Sequence, residues 1–83
     1  MPDVLVFESA ACQSCKATER WLQSRGIEFT AVRVDLLPEA GEKLRSAGHL
    51  SLPVVSVTRE DGGIAQWEGH RPSMLEMVLG GAE

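Results

Sequence analysis

The stretch that decides the fold is VLVFESAACQSCKAT, residues 4–18, because it joins a short apolar run to both cysteines of the chain. The run at residues 4–7 is rich in strand-forming side chains and predicts a strand buried on both faces. From Cys15 onward the apolar side chains recur at helical spacing, which predicts a helix over residues 13–25. A Cys-x-x-Cys pair therefore lies where a buried strand gives way to a helix.

The rest of the chain continues the alternation of strands and helices. The predicted bounds are a strand at 29–34, a helix that Pro38 opens and Gly48 closes, strands at 53–57 and 64–67, and a helix from Pro72. Proline suits a first helical turn, and Asp61-Gly62-Gly63 is a turn signal typical of a hairpin. We therefore expect an α/β fold of order β-α-β-α-β-β-α, with a four-stranded mixed sheet flanked by three helices and a parallel, right-handed first β-α-β unit.

The composition limits the classes of function. The chain has 83 residues, 43% hydrophobic and 24% charged, which is ordinary for one globular domain over residues 1–83. A net charge of -4 and scattered Lys and Arg argue against a nucleic-acid-binding protein. The apolar runs are too short to span a membrane, and residues 1–7 lack the basic and apolar regions of a secretory signal. We therefore expect a cytoplasmic protein that does not associate with membranes.

The two cysteines admit four interpretations: a redox pair, a structural disulfide, part of a metal site, or two buried thiols. A disulfide across so short a loop restricts the unfolded chain little, and a reducing cytoplasm disfavours it. A zinc site needs four ligands, and His49 and His70 do not lie at finger-like spacing, so no metal site is predicted. Free cysteine is often buried as a small apolar residue, which keeps the passive interpretation open.

The position of the pair at a helix start favours the redox interpretation. Cys12 lies where unpaired amide groups and the helix dipole stabilise negative charge, so its pKa is expected below the free value of about 8.5. A thiolate there attacks a substrate disulfide, and Cys15 then attacks the mixed disulfide and releases reduced product. Cys12 is thus the predicted nucleophile and Cys15 the resolving cysteine, with Lys16 a small contributor to thiolate stability.

Several segments resemble, in order, the glutaredoxin-like branch of the thioredoxin superfamily. They are Cys12-Gln13-Ser14-Cys15 with Ala17-Thr18, Gly26-Ile27-Glu28-Phe29, Val34-Asp35, Leu52-Pro53-Val54-Val55 and Trp67-Glu68-Gly69-His70-Arg71-Pro72. The last segment is similar to the Trp-Ser-Gly-Phe-Arg-Pro segment of NrdH-redoxins, the small electron donors to class Ib ribonucleotide reductase. Together the segments cover nearly the whole chain and are more specific than a Cys-x-x-Cys alone.

The resemblance implies a thioredoxin fold and a dithiol-disulfide oxidoreductase. Its electrons would pass from NADPH and thioredoxin reductase to a protein disulfide, such as that of ribonucleotide reductase. The resemblance also implies that Pro53 follows a cis peptide bond facing the active site and that Leu52 pairs through its backbone with the incoming peptide. We expect no bound cofactor, a redox-active Cys12–Cys15 disulfide, and a monomer that docks transiently on larger partners.

The candidate substrate-binding residues lie in the segments that carry the resemblance. They are Gln13, Ser14, Leu52, Pro53, Trp67, Gly69, His70 and Arg71. Packing at a strand end explains Trp67 as well as substrate binding does. Trp21 is interpreted as structural, and His49 as a capping or solvent-facing residue. Glu68 and His70 stand where the family usually has a small hydroxyl residue and an aromatic residue.

Other functions are left open by the sequence. A glutathione-dependent glutaredoxin has the same fold, but no lysine precedes Cys12, and glutaredoxins commonly use such a lysine to help bind glutathione. A metal or iron–sulfur carrier, with Cys12 as a ligand in a dimer, is the non-enzymatic alternative. A purely structural interaction module would leave the Cys-x-x-Cys at the helix start without a use.

Overall fold

Strands and helices alternate along the part of the chain that the computed structural model describes, residues 2–49 and 51–80. The elements are β1 (Asp3–Glu8), α1 (Gln13–Ser24), β2 (Thr30–Arg33), α2 (Pro38–Ser46), β3 (Val54–Thr58), β4 (Ile64–Glu68) and α3 (Pro72–Leu79). Their order is the predicted β-α-β-α-β-β-α, and their bounds agree closely with the prediction.

The strands form one mixed sheet in the order β2-β1-β3-β4. β1 is parallel to β2 and antiparallel to β3, with Val6 opposite Val55. β3 and β4 form an antiparallel hairpin in which Val55 lies opposite Trp67. A four-stranded mixed sheet with three helices confirms the thioredoxin fold expected from the resemblance.

One edge of the sheet collects the segments that carry the predicted site. Val54, the first residue of β3, lies opposite Phe7 in β1 and opposite Glu68 in β4. The loop after β1, the peptide before β3 and the turn after β4 therefore leave the sheet at the same edge. Residues that are far apart in the sequence meet there because of the strand register.

The core lies on one face of the sheet, against α1 and α3. Its buried side chains are Val4, Val6, Leu22, Val55, Val57, Trp67, Leu75 and Leu79. The strand members alternate along β1 and β3, as the two-residue repeat of a strand requires, and the helix members recur at helical spacing. Their burial is the main favourable contribution to the folding of so small a chain.

The prediction that β1 is buried on both faces is wrong at Leu5. Val4 and Val6 are buried on the core face, whereas Leu5 is 36% exposed on the opposite face. The short helix α2 packs on that opposite face, where its Leu44 lines a groove together with Phe7. With only nine residues, α2 does not extend far enough to cover the Leu5 end of β1.

A glycine ends α1 where the sequence predicts. Gly26 has a φ of 68°, the left-handed conformation that glycine adopts without steric cost. Its N–H donates to the carbonyl of Gln23 at 3.1 Å, and the next N–H, of Ile27, donates to the carbonyl of Leu22 at 3.0 Å. These bonds satisfy carbonyl groups that the end of the helix would otherwise leave unpaired.

Replacing Leu22 with Ala should lower the free energy of unfolding by about 2–5 kcal/mol, because the fully buried side chain would leave a cavity beneath α1. Urea denaturation followed by circular dichroism measures the loss. Met77→Ala on α3 is the matched control, because Met77 is 76% exposed and its truncation should change stability by less than about 0.5 kcal/mol. Similar losses in the two variants would contradict the assignment of the core.

Candidate active site at the start of helix α1

Cys12 is the N-cap residue of α1. Its backbone is extended, with φ -86° and ψ 107°, and its Sγ accepts a hydrogen bond from the backbone N–H of Cys15 at 3.0 Å. That amide is one of the first in the helix, which have no acceptor within the helix. The sulfur therefore replaces the side-chain oxygen of an ordinary N-cap, and the same N–H would stabilise a thiolate at Cys12.

The second cysteine lies one turn into the helix and is fully buried. Cys15 forms a disulfide with Cys12, and their Cα atoms are 5.2 Å apart, within the usual range for such a bond. The Sγ atom of Cys15 lies 4.0 Å from the carbonyl oxygen of Phe7, at the end of β1. Because Cys12 is partly exposed and Cys15 has no exposed surface, an incoming disulfide can reach only Cys12.

One stripe of α1 is buried, as the helical spacing of apolar residues from Cys15 onward indicates. Cys15, Thr18 and Leu22 each have no exposed surface, and they hold α1 against the sheet. Gln13 and Ser14, which lie between the cysteines, are exposed on the first helical turn. The helix thus presents two polar side chains beside the disulfide while its opposite face is packed.

Pro53 directly precedes β3, at the edge of the sheet where β1 ends. The peptide bond between Leu52 and Pro53 is cis, which confirms what the resemblance implies. Pro53 is fully buried and Leu52 is partly buried. The carbonyl of Pro53 accepts a hydrogen bond from the N–H of Gly69 at 2.7 Å, so the peptide before β3 is bonded to the turn after β4.

The turn after β4 contains the remaining predicted residues. Gly69 has a φ of 87°, a left-handed conformation that favours glycine at this position. The Nδ1 atom of His70 lies 2.8 Å from Oγ1 of Thr18, which joins the turn to α1. Arg71 is exposed and is the N-cap residue of α3. Gly69, His70 and Arg71 therefore lie at the same edge of the sheet as Cys12.

Trp67 belongs to the core rather than to the surface of the site. It is 5% exposed, and its indole Nε1 is buried without a hydrogen-bond partner among the described residues. Of the two explanations that the sequence allows, the structure shows packing. Trp21 is also structural: it packs partly buried against the core, with the Arg25 guanidinium 3.9 Å above its ring centre.

The capping part of the prediction for His49 is confirmed, because its backbone N–H donates to the carbonyl of Leu44 near the end of α2 at 2.9 Å. The solvent-facing part is wrong, because the His49 ring bridges two residues of β4. Its Nδ1 lies 3.1 Å from Oε1 of Glu68, and its Nε2 lies 2.7 Å from Nε2 of Gln66. The ring is largely buried by these contacts. The only sequence signal for this arrangement is Glu68 itself, an acid at a place where the family usually has a small hydroxyl residue.

A pair of carboxyl groups that the sequence pattern did not indicate lies between β1 and α1. If both Glu8 and Glu19 are ionised, neither can donate a hydrogen bond. Oε2 of Glu19 is then buried without a hydrogen-bond partner among the described residues. A proton on Glu19 supplies the donor for a hydrogen bond with Glu8. Burial, the bond to Glu8 and the charge of Glu8 raise the pKa of Glu19 to about 7, which Lys16 opposes only in part.

A second ionic group fixes the loop before Cys12. Arg33 binds Asp35 in a two-point contact, with Nε to Oδ1 at 2.8 Å and Nη2 to Oδ2 at 2.6 Å. The hydrogen bonds from Arg33 lower the pKa of Asp35 to about 2. Asp35 also accepts a hydrogen bond from the N–H of Ala10 at 3.4 Å, so the loop is attached to the end of β2.

Replacing Glu19 with Gln should stabilise the protein at pH 8 by about 1 kcal/mol, a value reduced for the partial exposure of Glu19. The folded carboxyl keeps its proton up to about pH 7, whereas its ordinary pKa is 4.5. The folded state therefore binds more protons between these values, and wild-type stability falls as the pH rises through them. Glutamine does not ionise and escapes this loss.

Urea denaturation at pH 4, 6 and 8 measures the difference between the wild type and the Glu19→Gln variant. The matched control is Glu42→Gln, because Glu42 is exposed on α2. If the free energies of unfolding of the wild type and the Glu19→Gln variant differed by the same amount at all three pH values, burial would not be acting on the charge of Glu19.

Within residues 2–49 and 51–80, no group of three or more His, Cys, Asp or Glu side chains is placed to hold a metal ion. Of the helices in the same part of the chain, none combines the length and the apolar character that a membrane crossing requires.

Comparisons with known proteins agree on one family. The glutaredoxin family model matches residues 4–61. The glutaredoxin-like protein NrdH of Salmonella typhimurium is 40% identical over 75 residues, which are 90% of this chain and 86% of that protein. The protein of the same name from Escherichia coli K12 is 38% identical over the same shares of the two chains.

Solved structures give the same result. The glutaredoxin-like protein NrdH-redoxin from Escherichia coli superposes with a TM-score of 0.80 and 34% identity, over 92% of this chain and 93% of that one. A glutaredoxin from Archaeoglobus fulgidus gives a TM-score of 0.76 and 27% identity, over 95% and 87% of the two chains. Because the family model spans more than half of the sequence and the NrdH relatives align with 90% of it, the chain belongs to the glutaredoxin family and is a thiol-disulfide oxidoreductase of the NrdH-redoxin kind.

Proposed function

We propose that this protein carries electrons from NADPH and thioredoxin reductase to a protein disulfide, and that class Ib ribonucleotide reductase is the protein it reduces. The observation that carries the proposal is the unequal exposure of the two cysteines. A target disulfide can reach Cys12, which is partly exposed, whereas Cys15 is fully buried. The choice of donor follows the Escherichia coli NrdH-redoxin, a glutaredoxin-like protein described as having a thioredoxin-like activity profile.

The reaction consists of two thiol-disulfide exchanges. The Cys12 thiolate attacks one sulfur of the target disulfide, so that a Cys12–target bond forms and one target thiolate leaves. Cys15 loses its proton and attacks the Cys12 sulfur, which forms the Cys12–Cys15 disulfide and releases the second target thiolate. The target gains two electrons and this protein loses two, which the reductase then returns.

The proposed binding surface surrounds Cys12 at the common edge of the sheet. Its exposed or partly exposed members are Gln13, Ser14, Leu52, Gly69, His70 and Arg71. A groove of about 230 Å³ adjoins Leu52 and can take a side chain of the docked peptide. Pro53 and Trp67 are buried, so we assign them to shaping this surface and not to direct contact.

The same proposal covers the state of the protein in the cell. We propose a monomer of one domain in the cytoplasm, with neither nucleic acid nor membrane among its partners. The small, uncharged residues before Cys12, Ser9 to Ala11, support a protein donor over glutathione, because they offer no cation to a glutathione carboxylate. The matching glutaredoxin family model keeps a glutathione-dependent enzyme as the alternative to be tested.

Replacing Cys12 with Ser should abolish reduction of a small aromatic disulfide, because the nucleophile is lost. Replacing Cys15 with Ser should instead trap a mixed disulfide between Cys12 and the target, since no resolving thiol remains. Thiol release measures the first effect, and intact-protein mass spectrometry measures the second. The control Ser46→Ala, an exposed position on α2, should behave as the wild type. Turnover by the Cys12→Ser variant would refute the assigned roles.

NADPH oxidation coupled to a small disulfide should proceed with thioredoxin reductase and not with glutathione plus glutathione reductase. The physical reason is the absence of a lysine before Cys12, which removes the cation that glutaredoxins commonly use to help bind glutathione. The two assays use the same redoxin concentration and the same disulfide. Turnover only in the glutathione assay would make the protein a glutaredoxin in function as well as in fold.

A further inference from the structure

The turn formed by residues 68–71, here the 68–71 turn, is attached to three different parts of the molecule by successive residues. Glu68 contacts His49 after α2 at 3.1 Å. The N–H of Gly69 donates to the carbonyl of Pro53 at 2.7 Å. His70 contacts Thr18 of α1 at 2.8 Å. The third of these contacts joins the turn to the helix that carries both cysteines.

Thr18 is a polar residue at a buried position of α1. It has no exposed surface, although its neighbours on the same helical stripe are Cys15 and Leu22. A buried hydroxyl without a hydrogen bond is costly, and the His70 ring supplies the partner. An aromatic side chain without a ring nitrogen, such as Phe, could fill the space of His70 but could not form a hydrogen bond with the Thr18 hydroxyl.

We propose that His70 is a positioning residue for protein partners. Its bond to Thr18 holds the 68–71 turn and the exposed Arg71 at a fixed place relative to Cys12, so that a partner meets the turn and the disulfide as one preformed surface. Surfaces that are ordered before binding lose less conformational entropy when the partner docks. The inference rests on the proposed function, because it assumes that a protein docks at this edge.

The reaction with a small disulfide should not depend on the Thr18–His70 bond, because it needs only the exposed sulfur of Cys12. Binding of a protein partner should depend on this bond, because the partner contacts the 68–71 turn as well. The Thr18–His70 bond is therefore predicted to act on the KM for a protein partner and to leave the reaction with a small disulfide unchanged.

The test uses two pairs of variants. Thr18→Val and His70→Phe remove the bond with little change in shape, whereas Thr18→Ser and His70→Asn keep a group that can form it. Two rates are measured for each protein. One is steady-state reduction of the oxidised redoxin by thioredoxin reductase, which gives kcat and KM. The other is the second-order rate at which the chemically reduced redoxin reacts with a small aromatic disulfide.

We expect KM for the reductase to rise about fivefold in Thr18→Val and in His70→Phe, a factor matching the usual net value of one hydrogen bond. KM for the variant that combines Thr18→Val with His70→Phe should be no higher than for either single variant, because both substitutions remove the same bond. Thr18→Ser should stay near the wild type, and His70→Asn should lie closer to it than His70→Phe does. The Thr18 variants should react with the small disulfide at the wild-type rate, and amide hydrogen exchange at residues 69–71 should quicken only where the bond is lost.

The outcomes separate the two proposals. If thioredoxin reductase does not reduce the wild type, the proposed function fails and this inference fails with it. If the wild type is reduced but KM is unchanged in Thr18→Val and His70→Phe, the inference alone is overturned. It is also overturned if the small-disulfide rate falls in parallel with the reductase rate, or if Thr18→Ser is as impaired as Thr18→Val.

Discussion

The burial of one stripe of α1 is the constraint on which the rest of the site depends. Cys15 and Leu22 have no exposed surface, and their packing against the sheet fixes where the helix lies and how it is rotated. Rotating the helix by one residue would turn the ammonium of Lys16 towards the core, which is costly without a partner. With the rotation fixed, the N–H of Cys15 points at the sulfur of Cys12. Apolar packing thereby sets the electrostatics of the exposed cysteine.

Polar groups at the margins of the same stripe connect α1 to the two sides of the site. On one side, Glu19 contacts Glu8 at the end of β1. This contact is favourable only while the Glu19 carboxyl is protonated. On the other side, Thr18 meets His70 in the 68–71 turn. The first contact costs stability as the pH rises from about 4.5 to about 7, whereas the second satisfies a buried hydroxyl. One helix thus links the strand that leads to the cysteines with the turn that lies beside them.

Features that depend on local sequence could be predicted, and features that depend on distant neighbours could not. The order of elements follows from hydrophobic periodicity, and the place of Cys12 at a helix start follows from where that periodicity begins. Whether Leu5 is covered depends on how far α2 reaches across the sheet. The contacts of His49 with β4 and of Thr18 with His70 join residues that only the strand register brings together. Chain periodicity contains no information about such pairs.

The surroundings of Cys12 bear on the choice between glutathione and a protein as electron donor. Stabilisation of a Cys12 thiolate depends on the N–H of Cys15 and the start of the helix, since no lysine precedes the cysteine. Glutathione is a small peptide with two carboxylates, and without that lysine it has fewer contacts from which to gain affinity. A protein partner covers a larger surface and can compensate through the 68–71 turn and the groove beside Leu52. The absence of that lysine is therefore tolerable for a protein partner, which supports the proposal that thioredoxin reductase is the donor.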